Sequence, residues 1–225
     1  MTIKQFQKKF NGCQISQAGG SVIGQNEVVS GNGIVLYQVD KMKIDKTKVD
    51  QRKVDKRKCV YWIERKANDG FLAVFSVDKI WEQEWDKFDK KYSAGQNKGT
   101  IPEEFSCYLR GQKNGRIGFT QHCDEIVLSD AGQATDVYCI ERKESQPRNQ
   151  GRRSVVKQLQ GGADCVFRNM NSGGNIRFWP VLVAKPREKL TIFPANKFFV
   201  KFDETEYAIE YLEEGEKLPD IEDGI

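Results

Sequence analysis

The stretch CDEIVLSDAGQATDVYCIERKES, residues 123–145, contains two strand-like runs separated by a turn. Both runs are rich in β-branched and aromatic residues, and the small and polar residues AGQAT between them are typical of a hairpin loop. A hairpin centred between Gly132 and Gln133 places residues opposite one another when their numbers add to 265. The stretch therefore predicts an antiparallel strand pair in which Asp124 lies opposite Glu141.

This predicted hairpin brings three charged side chains to one face. Lys143 projects from the same face as Glu141 because side chains alternate along a strand, and Asp124 shares that face as the cross-strand partner. Carboxylate oxygens are the ligands that Mg²⁺ prefers, and an ammonium group can position a water molecule or balance charge on a phosphate. The three residues are therefore a candidate site for phosphodiester hydrolysis, a site that needs no histidine.

The Asp and Glu-x-Lys elements, followed by RRSVVKQLQGGADCVF at residues 152–167, resemble the PD-(D/E)XK nuclease superfamily. That superfamily includes restriction endonucleases and archaeal Holliday-junction resolvases. Its members place an Asp at the start of one strand and a (D/E)-x-K motif on the paired strand, and a helix then crosses back to a further strand. The resemblance covers residues 120–185, roughly a third of the chain.

The resemblance implies a nuclease that uses Mg²⁺ or Mn²⁺. Asp124 and Glu141 would be the metal ligands, and Lys143 would act on water or phosphate. Gln158 matches the polar residue that many members place on the crossing helix, and Lys157 would contact phosphate. The chain departs from the family pattern in two ways: no proline precedes Asp124, and the Tyr of the RecB-type exonuclease signature is replaced by glycine.

Other residues compete for places in this site. Asp130 is a second possible metal ligand, but the predicted register puts it opposite Thr135 at the turn. His122, the one histidine of the chain, fits either a strand end or a group near the scissile phosphate. Several superfamily members add an acidic residue from an upstream helix, and the sequence does not choose among the eligible residues, which are Glu82, Glu84, Glu103 and Glu104.

The fold class predicted for the whole chain is α/β (α+β): a restriction-endonuclease-like mixed β-sheet core flanked by helices, with a β-rich N-terminal portion. An aromatic stripe predicts a helix over 78–92. Residues 154–160 predict a short helix that stops at two glycines, and ADCVF after them predicts a strand. The predicted segments are 1–77 with a basic insert at 39–58, the nuclease core 78–202, and the acidic C-terminal hairpin and tail 203–225.

The tetrapeptide IERK also occurs earlier, in CVYWIERK at residues 59–66. No turn residue lies midway between Asp55 and Glu64, and ANDG leads straight into the run GFLAVFSV rather than into a helix. We therefore predict that this copy is a structural strand, paired in a hairpin with residues 70–77. The pentapeptide repeat at 39–58 fits neither helix nor strand periodicity, so it is either a solvated loop or a polybasic arm that lies along phosphates.

Charge is distributed unevenly along the chain. Residues 39–58 carry a net charge of +5, residues 203–223 carry −9, and the remainder carries +8. A basic body favours a polyanionic partner, and we expect nucleic acid, with DNA favoured. The basic residues expected to bind it are Arg148, Arg152, Arg153, Lys157 and Arg177.

No apolar run approaches the length of about 20 residues that spans a bilayer, and the N-terminus lacks a signal-peptide core. We therefore predict a cytoplasmic protein without a membrane partner. Cutting both strands of a duplex needs two active sites, so a homodimer is plausible. The alternatives are a non-catalytic nucleic-acid-binding or inhibitor protein on the same fold, and a protein-interaction module that uses the acidic C-terminal segment.

Overall fold

The structure is a computed structural model, and it describes only part of the chain. The described residues are 3–10, 13–15, 26–31, 34–39, 61–64, 71–92, 101–111, 116–130, 134–144, 146–170, 175–185, 197–213, 216 and 218. The basic insert at 39–58 lies outside them apart from its first residue, as does the tail beyond 218. The predictions made for those segments stay predictions.

The described part of the chain contains three α-helices and thirteen strands. They are α1 Ile3–Phe10, β1 Cys13–Ile15, β2 Asn26–Gly31, β3 Ile34–Val39, β4 Tyr61–Glu64, β5 Phe71–Ser76, α2 Val77–Tyr92, β6 Leu109–Gly111, β7 Ile117–Phe119, β8 Glu125–Asp130, β9 Thr135–Lys143, α3 Asn149–Asn169, β10 Ile176–Ala184, β11 Phe199–Phe202, β12 Thr205–Ala208 and β13 Glu210–Glu213.

Within the described residues, six strands form one mixed sheet in the order β1-β5-β8-β9-β10-β13. The pairs β1–β5, β5–β8 and β8–β9 are antiparallel, whereas β9–β10 and β10–β13 are parallel. The predicted α+β class with a mixed sheet is confirmed. The sheet takes strands from all three predicted segments, since β5 precedes residue 78 and β13 follows residue 203.

The hairpin register predicted from the sequence is confirmed. Glu125 pairs with Ile140 and Asp130 with Thr135, so facing residue numbers add to 265 as expected. Asp124 lies just outside this ladder, and its amide donates to the carbonyl oxygen of Ile140 at 3.0 Å, one residue away from the 265 register. Register was predictable here because a one-residue slip would exchange the two faces of both strands.

One face of the sheet holds the core. Ile126, Leu128 and Cys139 from the hairpin are fully buried in a cluster that also contains Trp81 of α2 and Leu159 of α3. The predicted aromatic stripe of α2 is confirmed: Trp81 and Phe88 are buried, and Trp85 and Tyr92 pack partly buried against the same cluster.

The prediction that a helix stops at Gly161 and Gly162 is wrong, because α3 runs through both glycines and through ADCVF to Asn169. A Cβ on Gly161 would lie 2.0 Å from the carbonyl oxygen of Gln121, and one on Gly162 would lie 2.4 Å from Cys123 Sγ. The glycines therefore allow close packing of the helix rather than ending it.

The run ADCVF contributes to the buried face of this helix. Val155, Leu159, Ala163, Val166 and Met170 are all buried and follow one another at intervals of three or four residues. This is the helical period, extended across the glycines. The further strand that the resemblance placed at ADCVF is instead β10, which pairs parallel with β9.

The first IERK copy lies in a different sheet. β4, which ends at Glu64, pairs with β3 in a three-stranded sheet, whereas β5 pairs with β1 and β8. The strand prediction is confirmed, and the predicted hairpin between 59–66 and 70–77 is wrong. In the C-terminal segment, β11 and β12 form an antiparallel hairpin, and Asp203 in its turn has a φ of 56°.

None of the helices in the described part of the chain has the length and hydropathy needed to cross a membrane.

Candidate functional site

The candidate site lies at the edge of the sheet where β8 begins and β9 ends. α2 also starts there, because the amide of Val77 donates to the carbonyl oxygen of Asp124 at 3.0 Å. α3 begins six residues after Lys143, at Asn149. The N-terminus of α2 is thus close to this edge, and helix N-termini favour bound anions.

The structure brings Asp124, Glu141 and Lys143 together. Asp124 Oδ2 accepts the amide N–H of Arg142, the residue between the other two, at 2.8 Å. Lys143 Nζ forms an ion pair with Glu141 Oε1. The Glu141 side chain is 1 % exposed and that of Lys143 is 34 % exposed, so the carboxylate is internal and the ammonium lies towards solvent.

The carboxylate pair fits a hard divalent cation. Glu141 is buried and paired with Lys143, and Asp124 is a second carboxylate at the same end of the hairpin. In the described residues no group of three or more His, Cys, Asp or Glu side chains is arranged to hold a metal ion. Mg²⁺ is often held by one or two carboxylates, with water and substrate phosphates as the other ligands, so a two-carboxylate site is compatible with it.

His122 is held next to the site by two hydrogen bonds. Its Nε2 lies 2.8 Å from Asp78 Oδ1 and its Nδ1 lies 2.9 Å from the carbonyl oxygen of Thr120. Burial lowers the pKa of His122, but the bonds to Asp78 and Thr120 and the charges of Asp78 and Glu141 raise it by more, so it lies above its usual value. Asp78, in the first turn of α2, thus binds the histidine.

Gln158 lies on the helix face that packs against the hairpin. It is three and four residues before Gly161 and Gly162, so it shares their face of α3. Gly162 packs against Cys139, and α3 runs antiparallel to β9. Gln158 lies four residues from Gly162, about 6 Å along the helix, and Glu141 lies two residues from Cys139, about the same distance along the strand. Gln158 and Glu141 are therefore level with each other. Ser154 Oγ donates to Gln158 Oε1 at 3.3 Å.

The predicted nucleic-acid-binding residues fall into two groups. Arg148 immediately precedes α3. Arg152, Arg153 and Lys157 lie in the first turns of the helix. Arg148, Arg153 and Lys157 are exposed, whereas Arg152 is half-buried and its Nε donates to the carbonyl oxygen of Pro147 at 3.2 Å.

Arg177 lies apart from that group. Its Nε and Nη2 donate to the two carboxylate oxygens of Asp136, at 2.7 and 2.8 Å. Both residues sit at the ends of β9 and β10 that are farthest from Glu141 and Lys143. The bidentate pair occupies the Nε–Nη2 edge of the guanidinium group, an edge that phosphate recognition would also use.

The four upstream glutamates do not join the described contacts of the site. Glu84 is buried and paired with Lys87 at 2.5 Å. Glu104 accepts from Lys91 and Tyr92 on the surface. Glu82 and Glu103 are exposed. Asp130 pairs with Thr135 at the other end of β8 from Asp124.

Two contacts were missed by the sequence reasoning. Arg142 Nη2 lies 2.6 Å from Glu125 Oε1, and both side chains are buried on the sheet face opposite to Glu141. The predicted register contained the signal, because it puts Glu125 opposite Ile140 and therefore on the face of Arg142. The His122–Asp78 contact had no comparable signal, since 44 residues separate the two.

A pair of thiols lies under the site. Burial raises the pKa of Cys123 well above its usual value, and the neighbouring Cys139 thiol and the charges of Glu141 and Asp124 raise it further. Both cysteines are buried against Gly162. Cys123 is therefore a neutral packing group at neutral pH.

Comparison of the chain with family models, with curated proteins and with solved structures gave no match.

Proposed function

We propose that the protein is a metal-dependent nuclease that hydrolyses phosphodiester bonds of nucleic acid, with DNA as the favoured substrate. The observation that carries the proposal is the convergence of Asp124, Glu141 and Lys143, documented by the Asp124–Arg142 hydrogen bond and the Glu141–Lys143 ion pair. These contacts assemble two oxygen ligands and one cation at a strand end.

Asp124 and Glu141 would hold Mg²⁺ or Mn²⁺. When bound, such a cation would polarise a phosphoryl oxygen and neutralise the charge that develops on it. Lys143 is the solvent-facing member of the group, so its ammonium would orient the attacking water or steady the phosphate. Gln158, level with Glu141 on α3, would supply a neutral hydrogen-bonding group beside the carboxylates.

Two further features support a polyanionic substrate. The N-terminus of α2 lies at the same edge of the sheet as the three residues, and it favours negative charge there. The first turns of α3 carry Arg153 and Lys157, both exposed, and contain no acidic residue. Exposed cations beside the carboxylates would hold the flanking phosphates.

Cleavage assays with matched variants test the proposal. Plasmid, single-stranded DNA and RNA are incubated with and without Mg²⁺ or Mn²⁺. We expect metal-dependent cleavage that falls by about 100-fold or more in Lys143→Ala, the effect typical of losing a group that acts on a proton or a developing charge. Glu141→Gln and Asp124→Asn should abolish it.

The controls use comparable pairs elsewhere. Lys201→Ala removes an exposed lysine that pairs with Glu204 at 3.3 Å, and Glu84→Gln alters a buried glutamate that pairs with Lys87. Both variants should cleave like the wild type. Cleavage that is equal in the wild type and Lys143→Ala, or absent from both, would reject the catalytic assignment, and binding without cleavage would favour a non-catalytic nucleic-acid-binding protein.

A further inference from the structure

Two neighbouring residues of β9 each form an ion pair with a glutamate. Arg142 Nη2 pairs with Glu125 Oε1, and Lys143 Nζ pairs with Glu141 Oε1. The Arg142 and Glu125 side chains are 2 % and 3 % exposed, so both members of that pair are enclosed by the protein. In the second pair only the glutamate is enclosed, because Lys143 is 34 % exposed. The ammonium group of Lys143 therefore has access to solvent that the guanidinium group of Arg142 lacks.

The carboxylate of Glu141 is held inside the sheet. β9 lies between β8 and β10, and Glu141 pairs with Leu182 of β10, which is fully buried. A carboxylate in such surroundings needs a positive partner, because removing a charge from water is costly. If Lys143 leaves the carboxylate, another cation must therefore take its place.

The lysine can leave more easily than the glutamate can. Lys143 is the last residue of β9, and its neighbour on β10 is Ala184, whose side chain is only a methyl group. A lysine side chain is a flexible four-carbon chain that ends in a strongly hydrated ammonium group. At the end of the strand, the ammonium group can thus exchange Glu141 for water while the backbone stays in place.

We propose that Lys143 is the counter-ion of Glu141 until a divalent cation binds, and that the cation binds by displacing it. The ammonium group pairs with Glu141 Oε1, an oxygen that the proposed metal site would use. Two cations on one carboxylate oxygen repel each other, so metal binding is coupled to the release of Lys143. The inference rests on the proposed function and adds a step to it, in which metal binding frees the ammonium group for the substrate phosphate.

Metal binding measured without nucleic acid tests the displacement. The electron paramagnetic resonance signal of free Mn²⁺ gives the dissociation constant for each variant. Lys143→Met keeps the length of the side chain without its charge, and it should bind Mn²⁺ on the order of 10-fold more tightly, because no ion pair must be broken. Lys143→Arg keeps a cation that can pair with Glu141, so it should bind Mn²⁺ no more tightly than the wild type. Glu141→Gln should lose the binding, which assigns the measured Mn²⁺ to this carboxylate.

A second lysine separates the contact from a general loss of positive charge. Lys185 is exposed and directly follows Ala184, the β10 partner of Lys143, so it lies at the same edge of the sheet. Lys185→Met should keep the Mn²⁺ affinity within about 2-fold of the wild type, because salt screens exposed charges. Unchanged or weaker binding by Lys143→Met, or an equal gain in Lys185→Met, would overturn the displacement. Circular dichroism checks the fold of each variant, and Lys143→Gln repeats the test with a neutral polar side chain.

The two proposals fail separately. A protein that never cleaves nucleic acid, but binds Mn²⁺ more tightly as Lys143→Met, would lose the nuclease assignment and keep the displacement. A protein that cleaves with Mn²⁺, but binds it equally as wild type and as Lys143→Met, would keep the nuclease assignment and lose the displacement. Absence of Mn²⁺ binding from both the wild type and Lys143→Met would reject the displacement as well.

Discussion

Asp124 and Arg142 are joined at the open end of the β8–β9 hairpin, where Asp124 Oδ2 accepts the amide N–H of Arg142 at 2.8 Å. The hydrogen bond fixes the Asp124 side chain against the strand that carries Glu141 and Lys143. The carboxylate therefore has a structural partner as well as its proposed role towards a metal ion.

These two roles can be separated by substitution at Asp124. Asp124→Ala leaves the Arg142 amide without its acceptor and should lower the free energy of unfolding by about 1–3 kcal/mol. Asp124→Asn keeps a carbonyl oxygen and should be closer to the wild type in stability, while losing cleavage. Urea denaturation and the cleavage assay measure the two effects. Equal stability of both variants would show that the hydrogen bond contributes little.

The close packing of α3 predicts strong position dependence among the glycines. Gly161→Ala places a Cβ 2.0 Å from the carbonyl oxygen of Gln121 and must move the backbone next to His122. We expect a loss of about 1–3 kcal/mol or more. Gly111→Ala, where a Cβ meets nothing within 4 Å, is the control and should unfold at nearly the wild-type urea concentration. Similar midpoints for the two variants would contradict the close approach.

The buried Glu125–Arg142 pair predicts a non-additive response. Glu125→Leu or Arg142→Leu alone leaves an uncompensated buried charge, which should cost about 3–5 kcal/mol. The double variant should be more stable than the sum of the single losses predicts, because both charges are gone. Chemical denaturation of the four proteins gives the coupling energy. Additive losses would mean that the two side chains act independently.

A comparison pair sets the scale for that experiment. Lys91 and Glu104 are 2.8 Å apart with side chains 58 % and 53 % exposed. Removing this pair should leave the denaturation midpoint close to that of the wild type, because solvent screens exposed ion pairs.

Exposed cations on α3 should govern the salt dependence of binding. Arg153→Ala and Lys157→Ala should each weaken nucleic-acid binding, and each should reduce the slope of log affinity against log salt by about 0.7–0.9 if one phosphate contact is lost. Arg177→Ala should leave the slope unchanged, because its guanidinium pairs with Asp136 away from the site. Salt titrations in EDTA provide the measurement. A slope that responds to Arg177 and not to Arg153 would place the nucleic acid elsewhere.

The buried thiols should resist alkylation in the folded protein. Burial raises the pKa of Cys107 to about 11, so about one thiol in 1,000 is ionised at pH 8, against roughly a quarter for an ordinary cysteine. Iodoacetamide should therefore modify Cys107 slowly in native protein and quickly in denaturant. Peptide mass spectrometry gives the rates for each cysteine. Fast native labelling of Cys107 would show that it is accessible and ionised.

The position of the candidate site was predictable from local pattern. The two strand-like runs on either side of AGQAT placed the turn, and the predicted register then gave Asp124 as the partner of Glu141. The two IERK copies were separated in the same way, because only the second has a partner aspartate and a following helix. Strand alternation and turn chemistry act over a few residues, so they can be read from the chain.

The interruption of α3 was mispredicted because a glycine pair has two meanings. Gly161 and Gly162 are typical of a helix end, and they also occur where a helix passes close to another backbone. Only the position of Gln121 and Cys123 against the helix decides between them. The run after the glycines then continues the buried helical stripe instead of starting a strand.

By itself, the sequence determined the β8–β9 register and the aromatic helix α2, because each depends on spacing within a short segment. The tertiary structure decided the continuity of α3 and the His122–Asp78 contact. Those features depend on which distant segments meet, and residue spacing along the chain does not specify such contacts.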